Sequence, residues 1–195
     1  MISAQDLIEK ILARATSDEC IVLVRDKTQA NLRWANCTLT TNGVIQERSV
    51  TVLAFVSMNS TMASGGVTRT SVDEKDIDSL IAEAVAAAKA AGPADDYAPL
   101  AKDLSIGDWN AAHTPTGPEV FNRFAPDLGE MMKRSVADQI ELFGYAEHTH
   151  QTTWLGSKGG LRLRHDSPIG RVEMTAKSHQ RTRRSEEHTS ELQSP

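Results

Sequence analysis

The sequence predicts an α+β fold, with a mixed or antiparallel sheet flanked by helices and followed by the start of a second β-rich domain. Three observations support this. Residues 20–67 are a succession of β-prone segments, amphipathic helical patterns lie on either side of them at residues 3–15 and 73–91, and strand-like segments return between residues 143 and 178. The order helix, strands, helix favours both helices on one face of the first sheet.

The first sheet is predicted from four local patterns. Residues 21–24 are an unbroken apolar run, typical of a central strand buried on both faces. Asn42-Gly43 follows a β-prone segment and predicts a hairpin turn, because both residues tolerate positive φ. Residues 44–56 then form a long strand with alternating apolar faces. Gly65-Gly66 indicates a bulge or a close approach of another backbone.

Capping residues delimit the two helices of this region. Ser3 is predicted to cap the first helix, with Asp6 three residues further on. Ser71 and Glu74 are predicted to form a capping box at the start of the second helix, and Gly92-Pro93 to end it. Both helices have apolar residues at the spacing of a core-facing stripe.

The chain after the second helix is predicted to contain a connection, a helix and a β-meander. Residues 93–118 are rich in Pro, Ala, Gly and Asp and form a long loop or linker. A third helix covers residues 126–136, with Pro126 in its first turn. Its predicted apolar face consists of Leu128, Met131, Met132 and Val136. Turns are predicted at Gly159-Gly160 and at residues 166–170, which makes two consecutive hairpins.

These segments predict a sequential domain organisation. Residues 1–92 form an N-terminal α/β sheet domain, residues 93–118 the linker, and residues 119–183 a helix and meander that begin a middle domain. Residues 184–195, RSEEHTSELQSP, have no apolar periodicity and would pass as a polar tail. This tail resembles the translation of a sequencing-library adapter, so we exclude it from the fold and expect a truncated front portion of a longer protein.

Composition and charge restrict the class of protein. A formal net charge of −5 over 195 residues argues against a nucleic-acid-binding protein. Cys20 and Cys37 have no CxxC spacing, which favours small core residues in a reducing compartment. The sequence has neither the pattern of a signal peptide nor an apolar run of about 20 residues. We therefore expect a cytoplasmic protein without membrane association.

A search for catalytic motifs identifies no catalytic residue. None of the six histidines is followed by Glu, as a His-Glu zinc motif requires. His148 and His150 share one face of a predicted strand and are the only metal-ligand candidates, but no third ligand is identifiable. A Ser or Cys nucleophile has no local signature such as GxSxG. Residues 156–160, GSKGG, lack the spacing of a phosphate-binding loop and favour a turn.

Two groups of residues carry a family resemblance. Residues 33–36, RWAN, followed by residues 39–43, LTTNG, resemble the N-terminal domain of the TldD/PmbA family. Residues 152–157 and 160–164, with PIG at 168–170 and MTAKS at 174–178, are similar to the segment that follows that domain. The resemblance therefore extends over nearly the whole chain to residue 178. The opening and the RWANCTLTTNG stretch favour the PmbA (TldE) side of the family.

The resemblance implies an intracellular two-subunit metallopeptidase, from a family first described as modulators of DNA gyrase. Its zinc would be held by an HExxxH motif that TldD members carry downstream of this region and PmbA members lack. No position of this chain matches that motif, so no catalytic residue or cofactor is assigned to it, and whether it belongs to an active enzyme stays open. The implied partners are a TldD-like subunit and a peptide substrate. The alternatives are a non-catalytic peptide-binding or assembly subunit, and a gyrase-associated factor.

Overall fold

The computed structural model describes residues 2–58 and 60–178, and the backbone of residues 183–192. The elements in chain order are α1 (Ala4–Arg14), β1 (Glu19–Ala35), β2 (Thr38–Met58), β3 (Thr61–Thr70), a 3-10 turn (Glu74–Asp76), α2 (Ile77–Ala91), β4 (Ser105–Ile106), a second 3-10 turn (Pro118–Phe121), α3 (Ala125–Ala137), β5 (Glu141–Ser157), β6 (Arg162–Ser178) and β7 (Arg183–Leu192).

The described strands form a mixed sheet in the order β3-β2-β1-β5-β6-β4, and β7 pairs with β6. The β2–β3 and β6–β7 pairs are antiparallel, whereas β4 is parallel to β6. The predicted α+β class is therefore confirmed. The chain divides into two compact units: unit 1 contains residues 1–26, 47–113 and 152–166, and unit 2 contains the remaining ranges. The predicted consecutive domains, with boundaries at residues 92 and 118, stay a prediction.

Helices α1 and α2 pack on one sheet face in unit 1, as the sequence predicts. Their apolar stripes share a buried cluster with alternate residues of β1 and β2, namely Leu7, Ile8, Ile11, Leu80, Ile81, Ala84, Cys20, Val22, Val24, Val50, Val52 and Ala54. The prediction that β1 is central is correct. The prediction that both faces of residues 21–24 are buried was wrong, because Ile21 and Leu23 are only half-buried and burial alternates along the strand.

The N-terminal ends of the two helices are capped by local side chains. Ser3 accepts a hydrogen bond from the Asp6 backbone N–H at the start of α1, as predicted. The predicted capping box of Ser71 and Glu74 was wrong, because Asp73 and Asp76 form the box at the 3-10 turn that precedes α2. Ser71 has a φ of 57°, which places it outside the helix entrance.

The Gly65-Gly66 pair marks a close approach of helix α2 to strand β3. A Cβ at Gly65 would lie 2.7 Å from the Cα of Ala88 and 2.5 Å from the carbonyl carbon of Ala87. The β2–β3 register is unbroken from Ser49–Thr70 to Met58–Thr61, so the pair forms no bulge. The close-approach alternative is therefore the correct one. Because Gly65 has no side chain, the backbone of α2 can pack directly against β3.

The β1–β2 hairpin turns at Asn36-Cys37, so the turn predicted at Asn42-Gly43 was wrong. Asn36 and Cys37 have φ values of 50° and 56°, as both central residues of a type I′ turn require. Strand β2 continues through Gly43. Cys37 is held by contacts within unit 2: its backbone N–H donates to the Leu142 carbonyl at 3.0 Å, and its Sγ accepts from the Leu142 N–H at 3.4 Å. These bonds stabilise a backbone conformation that the Asn-Gly pattern could not locate.

Helix α3 covers the other cluster, in unit 2, and has Pro126 in its first turn as predicted. Leu128 and Met132 are buried in this cluster, which also contains Ala30, Leu32, Trp34, Phe121, Leu142 and Ala146. The assignment of Val136 to the buried face was wrong, since its side chain is 64% exposed and Ser135 is buried instead. Positions 128, 132 and 135 follow the helical spacing, and position 136 lies beyond the edge of the stripe.

Strands β5 and β6 form one long hairpin around the predicted turn at Gly159-Gly160. The second turn, predicted at residues 166–170, was wrong, because β6 continues through it. Its Pro168 lies between the part of β6 that pairs with β4 and the part that pairs with β7 from Gly170 onward. A proline there removes no ladder hydrogen bond to β4 or β7.

Residues 93–118 form a long connection, as predicted, and among the described residues it contains only β4 and the first residue of the second 3-10 turn. The segment that resembles an adapter translation is described in part, and its origin stays a prediction. Residues 183–192 form β7 and pair antiparallel with β6 from Ser178–Arg183 to Gly170–Leu192. Backbone pairing along a strand edge depends little on side chains, so the lack of apolar periodicity could not exclude it. Residues 193–195 lie outside the described residues.

Candidate functional site

His148 and His150 lie on one face of β5 in unit 2, as their spacing predicts, and both are half-buried. The Nδ1 atom of His148 lies 2.7 Å from the Thr116 Oγ1. His150 donates from Nδ1 to the Thr114 carbonyl, because a carbonyl can only accept. Both imidazoles thus hold the connecting segment against the strand. Thr28 on β1 also holds this segment, because its buried hydroxyl accepts a hydrogen bond from the Thr116 N–H at 2.9 Å.

Electrostatics favour the neutral form of His148. Burial lowers the pKa of the His148 imidazole below its usual value of 6.5, and the nearby His150 lowers it further. A neutral imidazole is the form that binds a metal ion. It is also the form that suits a half-buried hydrogen bond to a threonine hydroxyl.

The two histidines do not fit a zinc site by themselves. In the described part of the chain, no group of three His, Cys, Asp or Glu side chains could hold a metal ion. Glu147 points to the opposite face of β5 by strand alternation and contacts Arg33, with Nη2 and Oε1 3.5 Å apart. A structural zinc site takes four ligands and a catalytic one three. The two histidines alone supply too few ligands for either kind of site.

The lowered pKa of His148 predicts a pH dependence of stability. Protonation favours the unfolded chain, whose histidine has the higher pKa, so the contribution of His148 is complete above about pH 6.5 and is lost as the pH falls through the folded pKa. We expect the free energy of unfolding to decrease as the pH falls below about 6.5, and the decrease to be smaller in His148→Gln. Urea titrations at pH 5.0 to 7.5 measure this. The matched control is His165→Gln, at an exposed position. An unchanged pH profile in His148→Gln would contradict the prediction.

A second polar network, in unit 1, was not predicted from the sequence. The Thr152 hydroxyl is fully buried and donates to the Asp166 Oδ1 at 2.6 Å. It lies 2.8 Å from the His113 Nδ1, which therefore donates to it. Asp166 also pairs with Arg164, whose guanidinium lies 5.6 Å from the Trp154 ring centroid. Because Thr152 is fully buried, no substrate can reach its hydroxyl, and we interpret the network as a structural support.

No sequence signal could have found this network. Thr152 is 39 positions from His113 and 14 from Asp166. Their contact depends on the β5–β6 hairpin and on the course of the connecting segment along it. Arg164 and Asp166 alternate with Leu163 and His165 on β6, but that spacing is common to many exposed strands.

The remaining sequence candidates have structural roles. The GSKGG segment is a turn, as predicted, and Lys158 donates from Nζ to the carbonyls of Ser17 at 2.7 Å and Ala15 at 3.2 Å. Cys20 is buried, and burial raises the pKa of its thiol to about 11. A thiol with that pKa is almost entirely protonated at neutral pH and is a poor nucleophile. Cys37 is half-buried at the β1–β2 turn.

Comparison with solved structures defines the class of fold. The fold of this chain is similar to that of TldE and of two proteins named as candidate modulators of DNA gyrase, in agreement with the TldD/PmbA resemblance of the sequence. TldE from Thermococcus kodakarensis matches with a TM-score of 0.64 over 93% of this chain, at 12% sequence identity. A protein named as a candidate modulator of DNA gyrase from Thermotoga maritima matches with a TM-score of 0.62 over 93% of the chain, at 11% identity.

A third structure has a similar fold, and all three matches cover less than half of the solved structure. A candidate modulator of DNA gyrase from Bacteroides thetaiotaomicron matches with a TM-score of 0.58 over 90% of this chain, at 11% identity. The chain spans about 40% of the length of each of these proteins. No family model and no curated protein sequence matches it. No helix among the described residues is long and apolar enough to cross a bilayer.

Proposed function

We propose that this chain is the N-terminal portion of a TldD/PmbA-type subunit that acts in cytoplasmic proteolysis of unfolded or small peptides. The observation that carries the proposal is the fold match over 93% of the chain to TldE. The chain itself lacks the HExxxH motif, so its role is to shape the peptide chamber and to contact a TldD-like subunit that holds the zinc.

A non-catalytic subunit is the second candidate, and two observations favour it. TldE is among the matching structures, and the RWANCTLTTNG stretch at residues 33–43 resembles the PmbA side of the family. Such a subunit would work by peptide binding and assembly alone. A gyrase-associated factor is a third candidate, since two matching structures are named for gyrase. The net charge of −5 weighs against direct DNA binding.

Co-purification tests the assignment. Affinity-tagged chain is mixed with a TldD-like subunit that carries HExxxH and, separately, with DNA gyrase. We expect a complex with the TldD-like subunit in size-exclusion chromatography and none with gyrase. A gyrase complex in the absence of any complex with the TldD-like subunit would overturn the proposal in favour of the third candidate.

The origin of residues 184–195 has its own test. We propose that this segment is adapter-derived and that the gene encodes other residues there, so the native protein continues differently. Sequencing the locus past codon 183 should give an open frame with a different sequence. A natural stop codon after RSEEHTSELQSP would contradict the proposal.

A further inference from the structure

The sheet face of unit 2 opposite α3 presents aromatic and charged side chains. Strand alternation places Leu142 and Ala146 in the buried cluster under α3, and it directs Phe143 and Tyr145 to the other side. On β6, Val172, Met174 and Ala176 likewise pack against that cluster. The opposite-facing residues of the neighbouring strands are Arg33 on β1 and Arg171, Glu173 and Lys177 on β6.

Each ring on this face has a cation above it. The guanidinium carbons of Arg33 and Arg171 lie 6.0 and 5.6 Å from the Tyr145 ring centroid. The Lys177 Nζ lies 4.5 Å from the Phe143 centroid. Cation–π attraction acts within about 6 Å, so the rings attract the three cations to this face. We call these five residues the aromatic–cation row.

The arginines of the row remain accessible although each has a carboxylate neighbour. Arg33 contacts Glu147 at 3.5 Å and its side chain is 58% exposed. Arg171 pairs with Glu173 and is 61% exposed. A guanidinium has five N–H donors in a planar fork, and one carboxylate occupies only part of them. Both arginines can therefore receive a further carboxylate from solution.

The spacing of the cations suits an extended polypeptide. Strands β1 and β6 lie on either side of β5, and the guanidinium groups of Arg33 and Arg171 both lie within 6.0 Å of the same Tyr145 centroid. Side chains on one side of an extended peptide recur about every 7 Å. Two acidic side chains at alternate positions of such a peptide can therefore reach the two guanidinium groups that flank Tyr145.

We propose that the aromatic–cation row binds extended segments of unfolded polypeptide that carry acidic side chains at alternate positions. This inference rests on the proposed peptide-handling function and names its substrate class. Charge complementarity selects acidic segments, and the guanidinium groups donate hydrogen bonds to the peptide carboxylates. A single-stranded nucleic acid fits less well, because base stacking needs open ring faces. Here the rings are covered by cations, and two carboxylates lie within the same face.

Fluorescence anisotropy of the full 195-residue chain tests the proposal. The probes are a fluorescein-labelled peptide of alternating Glu and Thr, the same peptide with Lys in place of Glu, and an oligothymidine of similar length. We expect saturable binding of the Glu peptide only. The double variant Arg33→Glu with Arg171→Glu should weaken it about tenfold, because two attractive contacts become repulsive. The variant Arg33→Lys with Arg171→Lys should retain most of the affinity.

Arg123→Glu is the matched control, since Arg123 is exposed in unit 2 outside the row, and it should leave binding unchanged. Circular dichroism of each variant separates a lost site from a lost fold. Equal binding of the two peptides, stronger binding of oligothymidine, or wild-type affinity in the Glu double variant would overturn the proposal. Failure here together with a normal complex with the TldD-like subunit would leave the proposed function intact.

Discussion

Replacing Gly65 with alanine is expected to destabilise the chain by about 3 kcal/mol, the upper part of the usual range for overpacked sites. The added Cβ would lie 2.5 Å from the Ala87 carbonyl carbon and 2.7 Å from the Ala88 Cα. These are backbone atoms of helix α2, so no side-chain rotation relieves the overlap. The helix must move away from β3 and loosen its buried stripe. Urea unfolding followed by circular dichroism measures the change.

Gly43→Ala is the control for this prediction. Gly43 also lies in a strand, but a Cβ there meets no atom within 4 Å. We expect that variant to be unchanged or more stable by about 0.5–1 kcal/mol, because alanine restricts the unfolded chain. Equal stabilities of the two variants would mean that α2 does not approach β3 as closely as the fold requires.

Truncation of Leu80 to alanine is expected to cost about 2–5 kcal/mol, as for other fully buried leucines. Leu80 is fully buried in the unit 1 cluster, where α2 meets α1 and the sheet. The surrounding side chains can close the resulting cavity only in part. The same urea titrations report the loss as a lower midpoint.

Leu104→Ala provides the matched comparison within unit 1. Leu104 is 44% exposed, so its truncation should change the free energy of unfolding by no more than about 0.5 kcal/mol. A small effect at Leu80, similar to that at Leu104, would contradict the packing of α2 on the sheet.

Periodicity was sufficient to predict the elements but not where the strands turn. The helical stripes of α1 and α2 and the alternation of β2 depend on local spacing, which is visible in the sequence. The hairpin at Asn36-Cys37 depends on bonds from Cys37 to Leu142, more than a hundred positions away. Asn42-Gly43 allows a turn but does not require one. A local signal that only permits a conformation cannot compete with tertiary contacts that fix another.

The candidate site shows the same limit. The shared face of His148 and His150 follows from their spacing on a strand, and the structure places both as predicted. Their hydrogen bonds to Thr114 and Thr116 could not be predicted, because the connecting segment has no periodicity that would place it along β5. The aromatic–cation row likewise combines residues from three strands whose order in the sheet the sequence does not specify.

Peptide hydrolysis by the purified chain, with and without a zinc-loaded TldD-like subunit, tests directly whether this chain needs such a partner for proteolysis. The substrate is an unfolded, fluorescently labelled polypeptide, and zinc is supplied in every sample. We expect no cleavage by this chain alone and a higher rate when it is added to the TldD-like subunit. Cleavage by this chain alone, accompanied by tight zinc binding, would contradict it.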